Sequence, residues 1–126
     1  HGRQFKRGKW PSTWYNALAV LDTVGRYPEL WRSSEARPED VRAIVELAAC
    51  LIAYSVDPAT GMVTPHSCYK GFESFSWGQK KMPSAFATAR TLGVLCRVSD
   101  LAAQIAAIDV LELPSSKGGT GTVLAP

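Results

Sequence analysis

The 126-residue sequence has no long hydrophobic run and contains few cysteines and histidines. A helix that crosses a membrane needs about 18 or more consecutive apolar residues. The longest candidate here, from Ala43 to Val56, is shorter than that and carries Glu46. We therefore expect a chain without a membrane span.

The three cysteines, Cys50, Cys68 and Cys96, are widely spaced and odd in number, unlike the dense sets of disulfide-stabilised secreted domains. A cytoplasmic protein is therefore expected. His66 and Cys68 lack an accompanying Cys-x-x-Cys pair, and Cys50 lies in an apolar helical pattern, so we predict no metal and no cofactor. No third group is evident that would orient His66 beside a nucleophilic cysteine, and no catalytic residue is assigned.

The length and composition are those of one globular domain. With 46% hydrophobic and 20% charged residues, the chain can bury a core without disulfides or metals. The net charge of +3 is unevenly placed, because residues 1–10 carry four bases and no acid. The chain begins at His1 without an apolar signal segment, and we interpret it as processed, tagged or cut from a longer protein.

Four segments have the apolar spacing of helices. Proline suits the first turn of a helix, and Gly25 is predicted to end the first helix in the left-handed conformation. Residues 57–81 lack helical periodicity, which predicts a long loop of the kind that often carries function, with a brief strand at 62–64. The helices are predicted from Pro11 to Gly25, from Pro38 to Ser55, from Pro83-Ser84 to Cys96, and from Ser99-Asp100 to Leu111.

These elements predict a single helical domain over residues 1–114. Its helix pairs span about 11–56 and 83–113. The last residues, 115–126, are poor in apolar side chains and are predicted to form a flexible tail.

A short internal repeat relates the two halves of the chain. Lys9-Trp10-Pro11-Ser12 aligns with Lys81-Met82-Pro83-Ser84 at a constant offset of 72 residues. Each copy follows glycine, basic and aromatic residues, and each precedes an apolar helix and then a further helix. Recurring helix pairs are typical of α/α architectures in which each pair buries its apolar face on the next. The alternative is that Lys-x-Pro-Ser is only a common helix start.

The segments from Trp10 to Tyr15 and from Trp77 to Ser84 resemble the helix-pair repeats of the terpenoid cyclase and protein prenyltransferase α/α-toroid superfamily, over roughly residues 3–113. The resemblance implies an all-α fold of two antiparallel helix pairs, forming an arc of an α/α toroid with a long central loop. The sequence has neither the superfamily's Asp-x-Asp-Asp motif nor a complete Gln-x-x-x-Gly-x-Trp signature. Because four helices cannot close a toroid, we expect a fragment of a longer chain or a domain that completes its core by self-association.

Two clusters combine basic and aromatic residues at the approaches to predicted helix starts. Free N–H groups at a helix N-terminus favour an anion, and aromatic rings beside lysine suit single-stranded nucleic acid. The alternative is that the rings pack between helices while the basic groups are solvated. The candidate ligand-binding residues are Lys6, Arg7, Lys9, Trp10 and Trp14 in the first cluster and Trp77, Lys80 and Lys81 in the second.

The sequence leaves three functions open. The first is a non-catalytic helical scaffold, or a fragment of one. The second is an enzyme for an isoprenoid or other hydrophobic substrate, which predicts an apolar cavity with at least one acid pointing in. The third is an anion- or nucleic-acid-binding module, which requires both basic clusters on one continuous face. The cavity of the second hypothesis would be lined by Trp10, Trp14, Trp77 and Phe86.

Overall fold

The computed structural model describes residues 3–12, 15–79 and 81–113, and this part of the chain is helical. It contains no β-strand, only isolated bridges between Trp10 and Cys68 and between Val56 and Val63. The predicted all-α class is confirmed. The α-helices are α1 (Arg3–Arg7), α2 (Ala17–Val24), α3 (Glu29–Arg32), α4 (Pro38–Ser55), α5 (Ala85–Cys96) and α6 (Ala102–Ala106), with 3-10 helices at Ser76–Gly78, Ser99–Leu101 and Val110–Glu112.

The long helix α4 lies at the centre of the fold, and its bounds match the predicted ones. Pro38 occupies the first turn, where its missing N–H costs no hydrogen bond. Glu39 and Asp40 follow at the positive end of the helix dipole. The helix packs against α1, α2, α3 and α6. Its buried face consists of Ile44, Val45, Ala48, Ala49 and Leu51.

The predicted start of the first helix at Pro11 is wrong, because α2 begins only at Ala17. The buried Asn16 caps it: the side-chain oxygen accepts the N–H of Ala19 at 2.8 Å. Trp10 instead pairs with the loop at Cys68. This pairing holds the segment that begins at Trp10 and precedes α2 outside the helix. The two copies of the repeat therefore differ in local structure.

Gly25 follows α2 in a right-handed conformation, with φ −64°, so the predicted left-handed cap is wrong. A Cβ at this position would lie 2.8 Å from the Leu21 carbonyl oxygen and 3.3 Å from two side-chain carbons of Arg97. Close approach of the Leu21 carbonyl and of Arg97, rather than handedness, therefore explains the glycine.

In the second half, α5 begins as predicted, with Ser84 as its N-cap: Ser84 Oγ accepts the N–H of Ala87 at 3.1 Å. The predicted fourth helix is instead divided into α6 and two 3-10 helices. Leu101 and Ile105 are buried, but Leu111 is 90% exposed, so the apolar face does not continue to the predicted end.

The long loop at 57–81 contains no α-helix in its described part, as predicted, and the expected strand is reduced to the single bridge at Val63. The predicted tail at 115–126 lies outside the described residues. Among the described ranges, no helix is both long enough and apolar enough to cross a membrane. One hydrophobic core joins α2, α4, α5 and α6 with Trp10 and Val63.

Candidate functional site

The two predicted clusters meet at Trp10, which the 57–81 loop holds in place. The Trp10 N–H donates to the carbonyl of Ser67 at 3.0 Å, and the Tyr69 N–H donates to the carbonyl of Trp10 at 2.7 Å. The Trp10 ring is 3% exposed, and its centroid lies 6.4 Å from that of Trp77 and 6.5 Å from that of Phe86. The structure thus brings Trp10 of the first cluster together with Trp77 of the second.

Over Trp10, a row of four rings reaches the surface: Phe72, Phe75, Trp77 and Phe86, called the aromatic face below. Phe75 stacks on Trp77 with centroids 4.8 Å apart and planes 8° apart, and Phe86 lies 4.8 Å from Trp77. Aromatic pairs prefer offset-stacked or tilted arrangements at such distances. Phe75 is 48% exposed and Phe86 is 51% exposed. Contiguous exposed rings of this kind mark interaction sites.

Local backbone contacts fix the aromatic face to α5. Trp77 lies in the 3-10 helix Ser76–Gly78, and Ser76 Oγ is 2.8 Å from Ser84 Oγ, the cap of α5. Gly78 packs so closely on the backbone of Glu73 that a Cβ there would lie 2.6 Å from the Glu73 Cα. The indole Nε1 of Trp77 is buried without a hydrogen-bond partner. The rings are therefore positioned by packing and by their backbone.

The predicted cations of the first cluster do not lie at a helix N-terminus, so that part of the prediction is wrong. Lys6 and Arg7 lie in the last turn of α1, at the end where the helix dipole favours cations. Lys6 Nζ lies 4.9 Å from the ring centroid of Tyr54 and 3.5 Å from its hydroxyl oxygen. Lys9 Nζ lies 4.9 Å from the ring centroid of Tyr69. The first cluster thus contacts aromatic rings of the rest of the fold.

Of the second cluster, Lys81 is exposed four residues before the start of the capped helix α5 at Ala85, with φ 71°. Lys70 is exposed in the loop after Tyr69. Trp14 and Lys80, the remaining candidates, lie outside the described residues. Lys70 and Lys81 are thus exposed cations in the segments that flank Phe72, Phe75 and Trp77 in the sequence.

The cysteines and the internal histidine do not form a metal centre in the described part of the chain. No group of three or more His, Cys, Asp or Glu side chains there is arranged to hold a metal ion. Burial raises the pKa of the Cys50 thiol. Cys68 Sγ donates to the carbonyl of Tyr69 at 3.3 Å. These features agree with structural roles for both thiols.

A cluster of charges around Asp22 on α2 is not evident from the sequence. Asp22 Oδ2 accepts from Arg90 at 3.0 Å, and Asp22 Oδ1 accepts from Arg97 and, at 3.3 Å, from Arg26. Burial opposes ionisation of Asp22, but hydrogen bonds from Arg97 and Arg90 outweigh it and lower its pKa. In the sequence Asp22 has a nearby basic residue in Arg26, but nothing there indicates Arg90 or Arg97 as its partners.

No protein-family model matches the chain, and no curated protein and no solved structure is significantly similar to it. The aromatic face offers exposed ring surfaces for stacking at Phe75 and Phe86.

Proposed function

We propose that this chain is a helical binding domain without catalytic chemistry of its own, and that the aromatic face holds its ligand. The row of contacting rings carries the proposal: the exposed Phe75 stacks on the half-buried Trp77, and the exposed Phe86 lies tilted against Trp77. Lone exposed apolar side chains are ordinary on protein surfaces, but contiguous ones are uncommon and are usually covered by a partner.

We also propose the arrangement that the sequence resemblance implies, in which α2 pairs with α4 and α5 pairs with α6 as an arc of an α/α toroid. Packing of α4 on α2 supports the first pair, and packing of α5 on α2 and of α6 on α4 attaches the second half to it. Ile52 on α4 is 38% exposed and Leu92 on α5 is 39% exposed. In this arrangement such side chains contact further repeats of a longer chain, or a second copy.

The ligand of the aromatic face combines a flat or apolar part with negative charge. The rings bind the flat or apolar part by stacking, which contributes about 1–3 kcal/mol per base on an aromatic side chain. Lys9, Lys70 and Lys81 supply positive charge for the negatively charged part. Single-stranded nucleic acid and isoprenoid diphosphates share this chemistry, and the experiment separates them.

The test is a tryptophan-fluorescence titration at low salt with oligothymidylate, farnesyl diphosphate and uncharged farnesol as three separate probes. We expect a charged probe to bind and farnesol to bind more weakly. Phe75→Ala and Phe86→Ala should each lower the affinity about tenfold, because each removes a stacking surface. Tyr27→Ala is the matched control, since Tyr27 is 56% exposed but lies outside the aromatic face. Absence of binding by every probe, or equal loss in the control, overturns the proposal.

A second proposal is that the chain forms part of an enzyme for isoprenoid or other hydrophobic substrates. The convergence of Trp10, Trp77 and Phe86 favours it, because the cavity expected for that function includes these three rings. The acid nearest to them in sequence, Glu73, accepts the N–H of Gly71 at 3.0 Å. Diphosphate release in the farnesyl diphosphate samples supports this second proposal, and its absence leaves only the binding function.

A further inference from the structure

A separate cavity lies where α1 and α4 end. Its volume is about 300 Å³, at the lower end of the range for small-molecule sites. No ring of the aromatic face lines it. Its polar lining consists of Arg7, Tyr54, Ser55, Asp57, Thr64 and His66.

Arg7 differs from the other arginines whose side chains the structure describes, because it has no ion pair. Each of the others lies against an aspartate or a glutamate. A guanidinium carries five N–H donors in a geometry that suits carboxylates and phosphates. In the described part of the chain, those of Arg7 have no hydrogen-bond acceptor. The paired arginines are Arg26, Arg32, Arg37, Arg42, Arg90 and Arg97.

The hydroxyl of Ser55 is also unsatisfied. Its oxygen is buried and has no hydrogen-bond partner. A buried hydroxyl without a partner is destabilising, so the position has a cost in the free protein that a ligand oxygen would remove. Tyr54, the preceding residue, has its hydroxyl 3.5 Å from Lys6 Nζ, which places a second cation beside the cavity.

The remaining groups set the charge of the cavity. Burial, together with the charge of Arg7, lowers the pKa of His66, so its imidazole is neutral near pH 7 and can still donate one hydrogen bond. Asp57 is the acid in the lining, and its Oδ1 accepts the N–H of Ala59 at 2.9 Å. The lining thus carries one cation, Arg7, and one carboxylate, Asp57, that is engaged in a turn.

We propose that this cavity binds the oxyanion group of a small ligand, a carboxylate or a phosphate, with Arg7 as its charge partner and the Ser55 hydroxyl as a donor. The oxyanion accepts from both groups and satisfies the unpaired guanidinium and the buried hydroxyl together. Because the aromatic face lies outside this cavity, the proposal is independent of the one above.

The experiment titrates the 126-residue protein with sodium acetate and, separately, with sodium phosphate, replacing sodium chloride at constant ionic strength. Binding is followed by the melting temperature and by the ring-proton shifts of His66, assigned with His66→Gln. We expect at least one of the two salts to raise the melting temperature. The same salt should raise the pKa of His66, because a neighbouring anion favours the imidazolium. The two salts distinguish a carboxylate ligand from a phosphate ligand.

Two variants and one control test the assignment of residues. Arg7→Gln should weaken binding by at least about tenfold, since it removes the charged donor. Ser55→Ala should also weaken binding, yet leave the free protein equally or more stable, because it removes the unsatisfied hydroxyl. Arg37→Gln removes an exposed cation that belongs neither to this cavity nor to the aromatic face, and it should leave binding unchanged. The proposal is overturned if neither salt acts, or if both cavity variants bind as tightly as the control.

Discussion

The absence of a side chain at Gly78 shapes the aromatic face. A Cβ there would lie 2.6 Å from Glu73 Cα, a distance that nonbonded carbons do not reach, so a larger residue must displace the backbone between them. That backbone carries Phe75 and Trp77. We expect Gly78→Ala to lower the free energy of unfolding by about 1–3 kcal/mol, measured by urea denaturation. Loss of the stacking should also change the tryptophan emission.

Gly93 provides the matched control for this prediction. It is exposed inside α5, and a Cβ there would have no neighbour within 4 Å. Because alanine is the better helix former, Gly93→Ala should raise the free energy of unfolding by about 0.5–1 kcal/mol. Equal stability of the two alanine variants would contradict the close approach at Gly78.

The neighbouring sequence indicates the role of some residues but not the contacts of others. Trp10 and Trp77 could be selected as candidates because each stands among basic residues next to a helix-start pattern. The partner of each cation could not be predicted in the same way. Nothing in the sequence distinguishes Arg7, which has no carboxylate partner among the described residues, from Arg90, which pairs with Asp22, because the difference arises only when the helices pack.

At the level of elements, helices with their own start signals could be predicted from the sequence. Pro38 with two following acids begins α4, and Ser84 caps α5. The segment from Pro11 has a similar pattern, but Asn16 caps α2 instead, and the pairing of Trp10 with the loop decides between the two caps. Sequence periodicity does not contain that tertiary contact.

The division of the predicted fourth helix also has a local cause. After α6, the side chain of Asp109 accepts the N–H of Leu111 at 3.0 Å and starts a separate turn. A short acidic side chain that bonds its own backbone in this way competes with helix continuation. Apolar spacing alone predicted that the helix would continue to Leu111.

Ser84 couples helix α5 to the aromatic face, and two serine variants test this. Ser84 Oγ caps the helix through Ala87 and also bonds Ser76 Oγ. Ser84→Ala loses both interactions and should cost about 1–2 kcal/mol of unfolding free energy. Ser76→Ala loses only the bond between hydroxyls at an exposed position and should cost about 0.5 kcal/mol. Equal costs in urea denaturation would show that the cap contributes nothing.

At the scale of the whole molecule, two carboxylates join the halves of the chain. Asp22 on α2 accepts from Arg90 and Arg97 of the second half, and Asp100 accepts from the indole N–H of Trp31 at 3.0 Å. These partners are 68 to 75 positions apart in the sequence. Their contacts follow from the packing of the helices, which explains why sequence spacing could not disclose them.

The connection at Asp22 predicts a specific dependence of stability on pH. The pKa of Asp22 in the folded protein is below its usual value of 3.8, so the carboxylate stabilises the fold fully above that value. This stabilisation is lost as the pH falls through the lower folded-state pKa. We expect Asp22→Asn to cost about 1–3 kcal/mol at pH 7, where the arginines lose their charged partner, and progressively less below about pH 4. Urea denaturation across this range measures the difference, with Glu35→Gln, an exposed carboxylate without an ion pair in the described residues, as the control. A cost that stays constant down to about pH 3 would show that the shape of the side chain, rather than its charge, holds α2 to α5.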